Sequence, residues 1–354
     1  MASVDLTYFI FLSSGLFLGW SLGANDAANI FGTAVGTKMV RFRTAALIAS
    51  IFVILGAVYA GAGASATLGE LGGIDTLPGA FMAALAAAVS VYWMIKSGLP
   101  TSSSQAIVGA IVGWNIFAGH QTDTSVLSTI VSTWIICPIL AGIIAIVIYY
   151  LVRLLIRRSH IHLLRQDSYT RFGLIIAGAF GAYALGANNI ANVMGVFVDS
   201  SPFHSVSFSS GFSLNGVQIL FLIGALAISA GIFTYSHKVI NTVGNNLMHM
   251  SPLVAWVVVV SASIVLFLFA SQSLEQFLHA HNLPALPLVP VSSSQAVIGG
   301  IMGIGIAKGG TGLNWGILAR IAAGWVTTPL FAAIICYISL FFLQNVFNQT
   351  VFLH

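Results

Sequence analysis

Two short stretches of this chain place carboxylate and carboxamide side chains at close spacing within apolar surroundings. Gly23-Ala24-Asn25-Asp26-Ala27-Ala28-Asn29 is answered far downstream by Gly186-Ala187-Asn188-Asn189-Ile190-Ala191-Asn192. An ionisable group at the centre of a membrane-spanning helix costs about 2.5 to 3.5 kcal/mol on insertion scales, so Asp26 must face a protein-lined cavity or carry function. A polar interruption that recurs in both halves of an apolar chain points to the binding site of a transporter.

A second pair of stretches supplies a different chemistry. Leu99-Pro100-Thr101-Ser102-Ser103-Ser104-Gln105-Ala106 is matched by Val289-Pro290-Val291-Ser292-Ser293-Ser294-Gln295-Ala296. Proline disfavours the helical conformation in the residue before it, and the hydroxyls that follow cap free N–H groups, so each stretch reads as a helix start. A helix that starts inside the bilayer turns unpaired amides and the positive end of its dipole into the protein. Six serine hydroxyls beside two such ends make a site for a tetrahedral oxyanion. Trp134 and Pro138 are matched in spacing by Trp325 and Pro329, which carries the repeat through the final segment of each half.

The elements that must position these groups follow from composition. The 354 residues are 58% hydrophobic and only 6% charged, against about 25% charged in a typical soluble chain, so the expectation is an all-α polytopic membrane protein. Apolar segments run roughly over 6–37, 44–64, 79–95, 99–118 and 126–152, then over 172–198, 212–235, 252–270, 288–307 and 316–343. About 20 apolar residues cross the hydrocarbon, which predicts five segments per half. An odd number per half inverts the second half relative to the first. The predicted organisation is a first transmembrane repeat over 1–152, a basic cytoplasmic connector over 153–171 and a second, inverted repeat over 172–354, with broken or re-entrant helices at the serine tracts. The first segment has an acidic flank at Asp5 and reads as a retained helix rather than a cleaved signal.

Charge placement orients the scheme. With the N-terminus outside, all twelve Lys and Arg fall at or near the cytoplasmic side, while Asp5, Glu70, Asp75, Asp123, Asp199 and Glu275 fall on the other. The positive-inside rule then sets both termini extracytoplasmic, in a multi-pass protein of the cytoplasmic membrane. The excess of basic residues is a topology signal, not a nucleic-acid footprint. Cys137 and Cys336 lie in apolar runs as packing residues, and His279-x-His281 with only Glu275 nearby is too sparse for a metal site.

These motifs resemble those of the inorganic phosphate transporter (PiT) family, whose signature is a duplicated Gly-Ala-Asn-Asp-x-Ala-Asn. Gly23 to Asn29 with the following Phe31-Gly32-Thr33-Ala34-Val35-Gly36 is similar to the first family copy, Gly186 to Asn192 to the second, and the serine tracts to the family's Pro-x-Ser-Thr-Thr elements. The resemblance spans essentially the whole chain. It implies a symporter importing inorganic phosphate by alternating access, with two repeats around one central site. Sulfate permeases also occur in the family. Two positions depart from it: Asn189 stands where the second motif usually has Asp, and Gln105 and Gln295 stand where many members have His.

On this reading Ser102, Ser103, Ser104, Ser292, Ser293 and Ser294, with Asn25 and Asn188, surround the oxyanion. Asp26 with Asn29, Asn189 and Asn192 offers hard oxygens to a cation such as Na⁺, and protonation of Asp26 would serve if the coupling ion is H⁺. Gln105 and Gln295 group with these coupling residues. Lys96 is the one basic candidate near the site, and it is expected to reach for the cytoplasmic interface instead. No bound cofactor and no catalysis is expected, since no histidine or carboxylate pair accompanies the serines and no Walker motif is present. The expected partners are phosphate or sulfate, a coupling cation and membrane lipid, with homodimerisation left open and nucleic acid excluded. A passive anion channel would use similar linings but conduct without cation dependence.

Overall fold

The computed structural model describes residues 6–96, 101–159, 162–207, 213–237, 250–310 and 313–353. Asp5, Leu99, Pro100, His160, Phe212, Lys238, His249 and His354 lie outside the described residues. The first half contains α1 (Leu6–Gly36), α2 (Phe42–Ala60), α3 (Ala62–Gly72), α4 (Leu77–Lys96), α5 (Ser103–Ala118) and α6 (Thr124–Ser159). The second contains α7 (Leu163–Met194), α8 (Gly216–Thr234), α9 (Pro252–Leu268), α10 (Gln272–Ala280), α11 (Ser293–Ala307) and α12 (Trp315–Asn345). A two-stranded antiparallel ribbon, Val206–Ser207 with Ser213–Leu214, is the remaining regular element among the described residues.

All ten apolar segments of the sequence contain helix, but not every one is a full span. Among the described residues seven helices are long and apolar enough to cross a membrane, or up to eight if α9 and α10, bent by 67° at their junction, form one broken span. The serine helices α5 and α11 have 16 and 15 residues, short of the roughly 20 a crossing needs. The apolar count runs on through residues ahead of these helices, of which 101–102 and 288–292 are non-helical, and this explains the difference. The Asn motifs, by contrast, do not interrupt their helices, since both lie within the unbroken α1 and α7. Most of the basic 153–171 stretch is also helical, formed by the end of α6 and the start of α7, where Arg171 and Asp167 make an exposed ion pair.

Corresponding helices exchange partners between the halves. α1 packs on α8 while its counterpart α7 packs on α2, and α5 packs on α12 while α11 packs on α6. Missing side chains make these approaches close. A Cβ on Gly23 would collide with the Ile228 carbonyl, and one on the equivalent Gly186 with the Val53 carbonyl. Gly109 and Gly299 are held in the same way against the backbones of Pro329 and Pro138. Apolar side chains give helices little reason to associate within lipid, so such backbone contact is where membrane helices gain their packing. The outer faces of α6 and α12 expose Ile135, Ile139, Ile143, Val326, Leu330 and Ile334. Hydrocarbon is the solvent that tolerates them, and intrahelical bonding satisfies the backbone beneath.

Candidate functional site

The two serine helices begin where the two Asn motifs meet. Ser102 and Ser292 are extended N-cap residues whose hydroxyls accept from the amides of Gln105 (3.2 Å) and Gln295 (3.3 Å). Capping settles one orphan donor per helix, while the first amides, at Ser103, Ser104, Ser293 and Ser294, have no intrahelical carbonyl to bond. Each tract is tied to the lead-in of the other. The Ser104 hydroxyl donates to the Val291 carbonyl (3.1 Å), and the Ser294 hydroxyl donates to the Thr101 carbonyl (2.7 Å). The serine tracts of the two halves therefore face one another in the buried interior.

The Asn motifs reach across the same interface. Asn29 donates to the Ser293 and Ser294 hydroxyls, each at 3.2 Å, and its counterpart Asn192 donates to Ser104 (2.9 Å) and more weakly to Ser103 (3.5 Å). Asp26 lies between them. Its Oδ1 accepts from Asn25 (2.7 Å) and Asn29 (3.4 Å), and its Oδ2 accepts from Asn189 (3.1 Å). The serines, the glutamines and the Asn and Asp side chains of the motifs are at most 5% exposed, except for the half-buried Asn29. Among the described residues Asp26 is the one fully buried charged side chain. Lys96 ends α4 in an exposed position with its Nζ 5.6 Å from the Tyr92 ring centroid, outside this cluster.

Several polar atoms here have unused capacity. Gln105 Oε1, Gln295 Oε1, Asn192 Oδ1 and Thr101 Oγ1 are buried with no hydrogen-bond partner. Orphaned buried acceptors are costly, and free carbonyl oxygens are the ligand type that hard cations take. Beside them, free helix-start amides and short hydroxyls are the donor type that oxyanions take. Opposite chemistries thus share one buried cluster.

Most of the residues singled out in the sequence converge here, with different duties. Ser103, Ser104, Ser293, Ser294, Asn25, Asp26, Asn29, Asn189 and Asn192 form one hydrogen-bonded network. Asn188 stands apart. Its amide nitrogen donates to the Val289 carbonyl (3.2 Å) and its oxygen accepts from the Val291 amide (3.0 Å), so it pins the lead-in of α11. Gln105 and Gln295 flank the caps without a hydrogen bond to Asp26 among the described residues. Thr101 and Val291 were not legible as site residues, because they contribute through backbone carbonyls. The available signal was that a residue ahead of an N-cap has a carbonyl outside the helix.

A cavity of about 360 Å³ adjoins this cluster, lined by Thr67, Glu70, Ser125, Thr129, Gln272 and Glu275 and walled by Leu288 and Val289. The Thr67 hydroxyl donates to the Leu288 carbonyl (2.5 Å), and Asn188 holds Val289 from the other side. The lead-in to α11 is thus the partition between cavity and cluster.

Comparison with known proteins places this architecture among relatives. The profile of the phosphate transporter family matches residues 22–335 and 285–352. A curated relative from Methanocaldococcus jannaschii, provisionally named a phosphate permease, is 27% identical over 96% of this chain and 98% of the relative. One from Bacillus subtilis, provisionally named a low-affinity inorganic phosphate transporter, is 26% identical over 92% of this chain and 93% of the relative. A solved structure titled "The sodium-dependent phosphate transporter" superposes with a TM-score of 0.74 at 21% identity, covering 96% of this chain and all of that one.

Proposed function

This chain belongs to the phosphate transporter family, and from that membership we propose that it is a cation-coupled symporter importing inorganic phosphate across the cytoplasmic membrane by alternating access. The observation that carries the proposal is the convergence of both serine tracts and both Asn motifs on one buried cluster whose single charge is Asp26. An anion in a low-dielectric site needs compensating charge, and no buried Lys or Arg supplies it among the described residues. Helix-start dipoles give part of it and a co-transported cation gives the rest. Ser102, Ser103, Ser292 and Ser293, with the helix-start amides, take the phosphate oxygens. Asn25 and Asn188 hold the surrounding shell in place. Asp26, Asn29, Asn189 and Asn192, with the free oxygens of Gln105 and Gln295, take the cation. The fold shared with a protein described as sodium-dependent makes Na⁺ the ion we assign.

The two halves, 1–152 and 172–354, are inverted across the bilayer with both termini extracytoplasmic, and the basic 153–171 stretch lies in the cytoplasm. Reciprocal packing of α1 on α8 and α7 on α2 supports a two-fold relation between the halves, and the placement of the basic residues supports its orientation. The cavity beside Glu70 and Glu275 then opens outward. A single cysteine at Ser125, which is exposed beside it, is expected to react with a membrane-impermeant maleimide from outside intact cells. Both native cysteines are buried and give a low background. Labelling of that cysteine only after permeabilisation would reverse the orientation.

Transport itself is tested in proteoliposomes at fixed pH. Labelled phosphate is expected to accumulate above equilibrium under an inward Na⁺ gradient, to stop accumulating when K⁺ replaces Na⁺, and to resist excess sulfate. Uptake that only equilibrates would identify a channel, and full competition by sulfate would reassign the substrate.

A further inference from the structure

Within the two motifs, Asp26 and Asn189 occupy equivalent positions, and they touch. The Asn189 amide donates to Asp26 Oδ2 at 3.1 Å across the junction of the halves. Around them several polar contacts have their image in the other half. Asn29 donates to Asp26 Oδ1 as Asn192 donates to Asn189 Oδ1, both at 3.4 Å, and each of these asparagines also reaches the serines of the opposite half. The two positions therefore share these contacts; Asp26 Oδ1 additionally accepts from Asn25 (2.7 Å), a bond that Asn188 does not make to Asn189, and the chemical difference within the pair is that an oxygen at Asp26 is an NH₂ at Asn189.

That difference fixes the charge of the pair. Two carboxylates with oxygens about 3 Å apart in a buried site cannot both stay ionised unless a cation or a proton lies between them. Here the amide hydrogen of Asn189 already occupies that place and holds Asp26 without any ion. We propose that Asn189 sets the coupling stoichiometry: its amide stands in for one bound cation, so this protein carries one Na⁺ fewer per phosphate than the same site would with carboxylates at both positions. The pair behaves as a one-charge unit, and which half supplies the carboxylate is secondary. This inference rests on the symport reading above.

The test reconstitutes wild type, Asn189→Asp, Asp26→Asn and the swapped double variant Asp26→Asn/Asn189→Asp, and measures the ²²Na⁺ to ³²P-phosphate flux ratio in proteoliposomes. Asn189→Asp is expected to raise that ratio by one Na⁺ per phosphate and to steepen the Na⁺ dependence of uptake. The swap restores one carboxylate to the pair, so it is expected to recover Na⁺-driven uptake at the wild-type ratio, whereas Asp26→Asn alone does not. An unchanged ratio in Asn189→Asp would overturn the inference. Should that variant aggregate on size-exclusion chromatography, a monodisperse swap that fails to recover uptake would overturn it equally. Absence of Na⁺-driven uptake in wild type would instead bring down the symport reading.

Discussion

Replacing Asp26 with Asn is expected to abolish concentrative phosphate uptake while leaving the protein inserted and monodisperse. The substituted amide keeps the shape of the side chain: its oxygen can still accept from Asn25 and Asn29, and its NH₂ then faces Asn189, which can meet it by turning its own amide to present the oxygen. What it removes is the one charge in the buried cluster. Truncating one partner of a buried charged pair costs about 3 to 5 kcal/mol. At about 1.4 kcal/mol per tenfold, that is a loss of cation affinity on the order of a hundredfold to a few thousandfold. Such a loss moves cation binding out of any working concentration range, so phosphate would at best equilibrate. The measurement is the accumulation ratio of labelled phosphate under an imposed Na⁺ gradient, with thermal unfolding followed in parallel. Full accumulation by Asp26→Asn would remove the carboxylate from coupling, and the cation would then have to be held by neutral oxygens alone.

The site was legible in the sequence to the extent that it is repeated. Neither Asp26 nor a run of three serines is diagnostic alone, but their recurrence in both halves identified the groups that the fold brings together. What could not be read was which groups present themselves and which hold the others. Asn25 and Asn188 are the same residue at the same motif position. Asn25 nonetheless donates to a carboxylate, while Asn188 is fully engaged with the backbone of 289–291. Carbonyls such as those of Thr101 and Val291 carry no residue signature, so their part in crossing the interface appears only once the chains of hydrogen bonds are traced. The fold divided in the same way. Apolar length located ten segments, yet it could not distinguish full spans from the shorter serine helices, and it passed over α3 and α10, which are too short for it to register. Nor could it pair the helices. The Ile228 backbone can lie against position 23 only because Gly23 has no Cβ, and a glycine does not name its neighbour.

Removing the hydroxyls of Ser103 and Ser293 together should damage anion binding and spare coupling. These two sit at the first helical positions of α5 and α11, where free amides gather, and neither hydroxyl makes the cross-interface tie that Ser104 and Ser294 make. The double alanine variant therefore leaves the caps at Ser102 and Ser292 and both ties in place, and helix propensity does not oppose it. A hydrogen bond to a charged group contributes about 1.5 to 3 kcal/mol. Neighbouring contributions do not add fully, so the pair is expected to raise the phosphate KM on the order of a hundredfold. Coupling should survive, because Asp26 loses only its contact with the Ser293 hydroxyl and keeps Asn25, Asn29 and Asn189. The accumulation ratio at saturating phosphate, and its dependence on Na⁺, should stay close to wild type. Asp26→Asn is expected to show the reverse separation, with accumulation lost whatever the phosphate concentration. If the serine variant instead kept its KM and lost its Na⁺ dependence, the two tracts would belong to the cation, and the anion would have to be sought elsewhere in the fold.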